Sequence, residues 1–367
     1  MRVLNKLITA VMSTALFASA PIFAEQGNIP HLDHVFLIVM ENHSLKEIIG
    51  SPNTPFINQL TRSSNLAINY YAIGHPSLTN YLEIVGGSNF GIVNDNNPNW
   101  HNASHDSRRN KPIAASGKDA PTPARIAPFY IAMASAPFVG GTIGDQLAAA
   151  GNSWKTYQEN TPASGDVDGV DYSDGMYSNL STPGIVNSHY VQSLYTAKHD
   201  PFVYFAHIQE NSGPVNGLRN VVGFAGMNGL YADLGSGKAP NFSFIVPDLC
   251  HDMHGLDNGS PLCNNKATLL QMGDATVKTL VTAIQASRVW QQGNNAIIVL
   301  WDENDFSDTP NRVAAIIDTN YGGRKRTSSR PYNHFSLLKT LEAGFGLPCL
   351  NHACDRNVHV MDDLFSF

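Results

Sequence analysis

Short runs of uninterrupted apolar residues recur along this chain, and most of them stop at a cluster of polar side chains. The run 34–40 reads His-Val-Phe-Leu-Ile-Val-Met and gives way to Glu41-Asn42-His43-Ser44. The run 296–300, bounded in front by Gly293-Asn294-Asn295, gives way to Trp301-Asp302-Glu303. Phe242 to Val246 is followed by Asp248, Asp252 and His254. Further strands are predicted at 66–72, rich in apolar and Tyr residues, at the shorter and more polar 153–157, and at 202–208 and 313–317. Such runs, without polar alternation, predict strands buried on both faces of a parallel sheet. Between them the spacing turns helical. Residues 51–64 begin with turn residues and continue as an amphipathic helix around Phe56, Ile57 and Leu60. Ser77 opens a helix after His75-Pro76 that stops at Gly86-Gly87. Helices are also predicted at 142–150 (closed by Gly151), 268–287, and 333–345 (ended by Gly346 and Pro348). Strands alternating with helices predict a three-layer α/β/α sandwich with a mainly parallel central sheet.

One stretch breaks the pattern. Asn89 to Pro137 has little periodicity and is rich in Asn, Pro, Ser and His, which predicts a lid or insertion over the site. Residues 25–367 otherwise read as a single catalytic domain.

Composition changes the picture in few places. A net charge of −7 argues against nucleic-acid binding, and Arg324-Lys325-Arg326, the one basic cluster, reads as a solvated loop. Arg2 and Lys6 precede an apolar, small-residue stretch from Leu7 to Phe23, which predicts a signal peptide over 1–24, cut after Ala24. No other stretch approaches the length of a membrane span. The mature chain is therefore expected to be secreted or periplasmic. Four cysteines suit that address, and the sequence-local pairs Cys250–Cys263 and Cys349–Cys354 are the expected disulfides, each closing a small loop beside a strand or helix end.

The polar clusters share a position: each follows a predicted strand or opens a predicted helix, where ligand chemistry collects in open α/β sheets. Adjacent acids such as Asp302 and Glu303 repel each other unless a cation lies between them. Glu41, Asn42, Asp252, His254 and His334 (at the start of the last helix) add oxygen and imidazole donors. That mixture suits two divalent cations, with zinc, magnesium, manganese, iron and calcium all chemically admissible. Paired ions stabilise the attacking and leaving oxygens of an in-line displacement at phosphorus. Ser77 at a helix N-terminus offers a hydroxyl nucleophile beside backbone N–H groups that hold phosphate oxygens. Taken singly, Ser77 is an N-cap, Asn80 a turn residue, and each histidine a hydrogen-bonded side chain. Their joint placement is what points to a site.

The stretches His34–Asn42, Tyr70–Tyr81, Lys198–Phe202, Pro247–His254, Trp301–Glu303 and Asn333–Glu342 together resemble the phosphoesterase family of bacterial and fungal acid phosphatases and phosphatidylcholine-type phospholipases C. That family belongs to the alkaline phosphatase superfamily, so the resemblance implies an alkaline-phosphatase-like sheet. It implies Ser77 as nucleophile in the context His-Pro-Ser-x-x-Asn-Tyr, with Asn80 contacting phosphate. It implies Glu41, Asn42, Ser77, Asp302 and Glu303 as metal-site residues. Asp252, His254 and His334 would complete a second cation or phosphate site. His75 and His199 are candidates for protonating the leaving oxygen, and Thr79 is the alternative nucleophile. The first motif reads Glu-Asn-His-Ser, not the Glu-Asn-Arg-Ser-Phe-Asp of the larger phospholipases C, and the chain stops soon after its last helix. Both features resemble the smaller acid phosphatases, including phosphoinositide-directed ones. The expected activity is hydrolysis of phosphoric monoesters through a phosphoserine. A phospholipase C acting on phosphodiesters, or a binding protein without turnover, are the alternatives.

Overall fold

A computed structural model describes residues 27–90, 92, 95, 113–114, 138–161, 184–186, 191–209, 215–256 and 263–367. The apolar runs form one nine-stranded sheet. In chain order its strands are β1 (His34–Met40), β2 (Asn65–Tyr71), β3 (Trp154–Gln158), β4 (Val221–Val222), β5 (Phe242–Val246), β6 (Asn295–Trp301), β7 (Arg312–Thr319), β8 (Thr327–Ser328) and β9 (Tyr332–Asn333). Across the sheet the order is β8-β2-β7-β6-β1-β5-β3-β4, with β9 also pairing with β2. Only β7 runs against its neighbours; every other pairing is parallel.

From Val35 to Met40, β1 is fully buried at every position, and β6 is nearly so. Alternate side chains point to opposite faces, so both faces must be covered. The helices doing this fall into two sets. The first is α1 (Pro55–Ser63) and α4 (Leu230–Ser236), each packed on α5 (Lys266–Ala286). The second is α2 (Ser77–Gly86), α3 (Ile143–Ala149) and α6 (His334–Phe345), which pack on one another. The result is the mixed α/β sandwich that the apolar pattern predicts.

Most predicted elements form within a residue or two of their expected bounds. The run 202–208 does not. It folds as a 3₁₀ turn, Pro201–Tyr204, followed by a short helix, Ala206–Gln209. Pro201 sits at the first helical position, where its fixed φ starts a turn. Phe202 to Phe205 are buried on every side, and a short run of that kind is the one periodicity cannot assign. The signal-like segment and most of the 89–137 insertion lie outside the described residues. No described helix is long and apolar enough to cross a membrane.

Both expected disulfides form, Cys250–Cys263 and Cys349–Cys354. The first ties the loop after β5 to the start of α5. Gly87 ends α2 with φ 70°, and a Cβ there would come 2.5 Å from the Leu350 carbonyl oxygen, so the stop requires glycine.

A capping interaction across the two helices holds α1 in place. Pro55 starts α1 without an N–H, and the next two amides, of Phe56 and Ile57, donate to the Asp274 carboxylate on α5 at 3.1 and 2.8 Å. Asp274→Ala strands one buried and one half-buried donor and is expected to lower stability by about 1–3 kcal/mol in denaturant unfolding. Asp274→Asn, which keeps one acceptor, should recover part of that loss. Equal stability of the alanine variant and wild type would remove this capping role.

Candidate active site

Register brings the first two acids together. β1 and β6 are parallel neighbours with Met40 opposite Trp301, so the residues that follow, Glu41 and Asp302, emerge side by side at the C-terminal rim. The Asp302 N–H donates to the Met40 carbonyl at 3.0 Å, continuing the ladder one step past the strand. Asn42 then turns the chain in the left-handed region, φ 52°, a conformation Asn tolerates better than most residues. Its N–H lies 3.4 Å from Asp302 Oδ1. Glu41, Asp302 and Glu303 are all buried.

From β2, the chain passes Gly74, His75 and a cis Pro76 into α2, whose first residue is Ser77. The Ser77 hydroxyl is 3.1 Å from Glu41 Oε2 and 3.2 Å from Glu303 Oε1. Asn80, one turn on, accepts from the amides of Ile73 and Gly74 at 3.2 and 3.1 Å. Its own amide donates to the Gly74 carbonyl at 3.0 Å and to Glu303 Oε2 at 3.2 Å. Asn80 thus pins the turn that delivers Ser77. Thr79, the alternative nucleophile, spends its hydroxyl on the Pro76 carbonyl at 2.7 Å and makes no contact with the acids.

Imidazoles close the ring. His75 Nδ1 is 2.7 Å from Glu303 Oε2. His199 lies between Glu41 Oε1, 2.9 Å from Nε2, and Asp252 Oδ2, 3.1 Å from Nδ1. Its ring stacks on Tyr81 of α2, centroids 5.1 Å apart and planes 7° from parallel. Asp252 is fixed relative to β1 because its carbonyl accepts from the Glu41 amide at 2.9 Å, and its Oδ1 accepts from the His254 amide at 2.7 Å.

His254 and His334, which the resemblance implies as ligands, each have both ring nitrogens in hydrogen bonds. The Gly255 carbonyl, 2.8 Å from His254 Nδ1, can only accept, so that nitrogen carries the proton and Nε2 accepts from Lys198 Nζ at 2.9 Å. By the same reasoning His334 Nε2 donates to the Asp302 carbonyl at 2.7 Å and Nδ1 accepts from the Tyr70 hydroxyl at 3.1 Å. In this arrangement His334 holds the Asp302 backbone. Asp248 also stands apart: its carboxylate accepts from the Cys250 and His251 amides and from Asn160, capping its own loop.

The electrostatics follow from burial. Burial would push Glu41 up, but the charge of His199 close beside it, helped by His254 and Lys198, holds it down at about 2. His199 is pushed down by burial yet held up at about 9 by Glu41 and Asp252. Asp252 stays high, about 7, because burial and the Glu41 charge outweigh the imidazolium it shares. Asp302 and Glu303 are driven well above the carboxylate range, by burial first and then by the Glu41 charge. Those two acids are therefore short of positive charge.

A divalent cation fits that deficit. Asp302 Oδ2 is buried with no hydrogen-bond partner among the described residues, and the close approaches of His75 Nδ1 and His199 Nε2 to carboxylates do not lie along hydrogen-bond directions. Atoms that converge without pairing are what a shared ion needs. Glu41, Ser77, Asp302 and Glu303 are the oxygen donors at this rim that could hold one, with Asn42 next to Glu41 in the chain. Glu41, His199 and His254 offer donor atoms within 4.8 Å of one another as a further cluster.

Two residues escaped sequence reasoning. Lys198 Nζ lies 2.9 Å from Asp95 Oδ2, and Asp95 Oδ1 accepts from the Leu78 amide at 3.1 Å, next to Ser77 in the chain. Lys198 immediately precedes His199 in a motif already singled out, so that signal was available. Asp95 lies in the aperiodic insertion, where nothing local marks it.

Comparisons with known proteins give the chain a family. A family profile described as "Phosphoesterase family" matches residues 51–348. A phosphatidylinositol-3-phosphatase of Mycobacterium tuberculosis is 25% identical over 353 residues, covering 94% of this chain and 85% of that protein. An acid phosphatase of Aspergillus fumigatus is 23% identical over 360 residues, covering 96% of this chain and 63% of its own length. The chain spans about three-fifths of the length of such fungal relatives. A solved structure of an alkaline phosphatase superfamily protein from Vibrio parahaemolyticus is 16% identical, covers 89% of this chain and 69% of that one, and has a TM-score of 0.47. With a match over most of its length, the chain belongs to the phosphoesterase family and is a phosphoric-ester hydrolase.

Proposed function

We propose that this chain is an exported, metal-dependent phosphatase of phosphoric monoesters that works through a phosphoserine on Ser77. The observation that carries this reading is the Ser77 hydroxyl, at the opening of α2 and within 3.2 Å of both Glu41 and Glu303. The relatives support monoesters, since those named above are an acid phosphatase and a phosphatidylinositol-3-phosphatase. The signal-like N-terminus and two disulfides support export.

Glu41, Asn42, Asp302 and Glu303 would hold a divalent cation, which when bound lowers the hydroxyl pKa of its neighbour and offsets phosphate charge. Ser77 loses its proton to the adjoining carboxylates, and its Oγ attacks phosphorus as the bond to the leaving oxygen breaks. Water then attacks the phosphoserine, Ser77 Oγ departs and orthophosphate is released. The Leu78 N–H and the Lys198 ammonium, bridged by the Asp95 carboxylate, are donors of the kind that hold a phosphoryl oxygen. His199, kept protonated between Glu41 and Asp252, is assigned the proton for the leaving oxygen. Burial pushes His75 down to about 4, so it is neutral at pH 7 and orients Glu303.

Ser77→Ala should fold normally and lose at least ~10³-fold in kcat on an aryl phosphate. Acid quenching of wild type during turnover should leave a phosphoryl group on the peptide containing Ser77. Full activity of the variant would reject Ser77 as nucleophile. Exhaustive chelation with EDTA should abolish turnover and readdition of a divalent ion restore it; undiminished activity of metal-free protein would contradict the cation's role. A monoester, a phosphocholine diester and a phosphoinositide assayed side by side should show faster turnover of monoesters, and preference for the diester would favour a phospholipase C.

A further inference from the structure

Phe306 sits three residues past Glu303, on the loop between β6 and β7. Its ring is 50% exposed, one of few large apolar side chains left open among the described residues. A single exposed aromatic is ordinary on a protein surface. This one is unusual in where it sits. The ring stacks on His75, centroids 3.9 Å apart and planes 23° from parallel, while His75 touches Glu303 and Glu303 touches the Ser77 hydroxyl. One face of Phe306 is therefore spent on the wall of the site, and the exposed remainder opens at its rim.

The chain also accepts strain to put it there. Phe306 has φ 61°, a left-handed backbone that disfavours bulky side chains and costs of order 1 kcal/mol or more. The turn holds this conformation: the Phe306 amide donates to Asn304 Oδ1 at 2.8 Å, and Asn304 in turn donates to the Asp308 carbonyl at 2.7 Å. Ser307 is tied to Ser44 at 3.0 Å and its carbonyl to Lys46, both on the segment that follows Glu41. Glycine or asparagine would sit in this turn with less strain, so turn geometry does not account for a phenyl ring here.

We infer that Phe306 is a specificity-determining residue, a platform on which a flat, apolar leaving group of the phosphate ester stacks while its phosphoryl group faces Ser77. The inference rests on the phosphatase reading for the identity of the leaving group. It names the substrate class as esters of aromatic or otherwise planar alcohols, in preference to those of small polar alcohols. Offset stacking of two aromatic rings corresponds to a gain in affinity of roughly two- to tenfold.

The test uses ligands that cannot turn over. Binding of phenylphosphonate and methylphosphonate to the full chain, loaded with its divalent ion, is measured by calorimetry for wild type, Phe306→Ala and Phe306→Tyr. Wild type should bind the phenyl compound about fivefold or more tightly. In Phe306→Ala the ratio should fall to within twofold of one, and Phe306→Tyr should preserve it. A ratio that survives Phe306→Ala, or that is absent from wild type, overturns the inference. Because no bond is broken, a phenyl preference lost with Phe306 upholds the platform even if the protein hydrolyses no phosphate ester, an outcome that would sink the phosphatase reading alone.

Discussion

Three carboxylates buried at one edge of a sheet set the terms for this molecule. Two like charges 4 Å apart repel by roughly 4 kcal/mol at an effective dielectric of 20, and burial adds a desolvation cost for each. Glu41, Asp302 and Glu303 are held together regardless, since β1 and β6 pair in a register that leaves Glu41 and Asp302 adjacent. Nothing in the side chains themselves favours that arrangement. The parallel ladder imposes it, and positive charge must be brought to it.

Much of the surrounding architecture does that. His199 is delivered by the Lys198-His199 turn, stacked on Tyr81 and shared between Glu41 and Asp252. The loop carrying Asp252 is tied to β1 through the Glu41 amide and to α5 through the Cys250–Cys263 disulfide. Asn80 and His75 hold Glu303, and His334 holds the backbone of Asp302. These contacts satisfy Glu41 far better than Asp302 and Glu303, and that is the deficit the proposed divalent ion would meet.

How much of this was legible in the sequence depended on the kind of signal. The strands ending at Met40, Val246 and Trp301 announced themselves, because fully buried parallel strands are apolar throughout and their polar followers mark the functional rim. Ser77 was legible through its helix-opening position and its motif. What single-sequence reasoning missed depends on three-dimensional placement. The run 202–208 is apolar enough for a strand, yet Pro201 and burial on all sides make it helical. His254 and His334 carry ligand-type side chains, and only the fold shows which groups meet their nitrogens: Lys198 and Gly255 for the first, Asp302 and Tyr70 for the second. Asp95 reaches the site from a segment whose composition carries no periodic signal, and Phe306 matters only because its ring lands on His75.

The claim beneath all of this is that the carboxylate cluster is a cation site built into the fold. It is tested most directly by thermal unfolding of chelator-stripped protein, with and without an added divalent ion, for wild type and Asp302→Asn. A ligand present at 100 times its dissociation constant stabilises the folded state by about 2.7 kcal/mol, so wild type should show a concentration-dependent rise in Tm that Asp302→Asn largely loses. A wild-type Tm indifferent to every divalent ion tried, in protein shown by elemental analysis to carry none, would contradict the account.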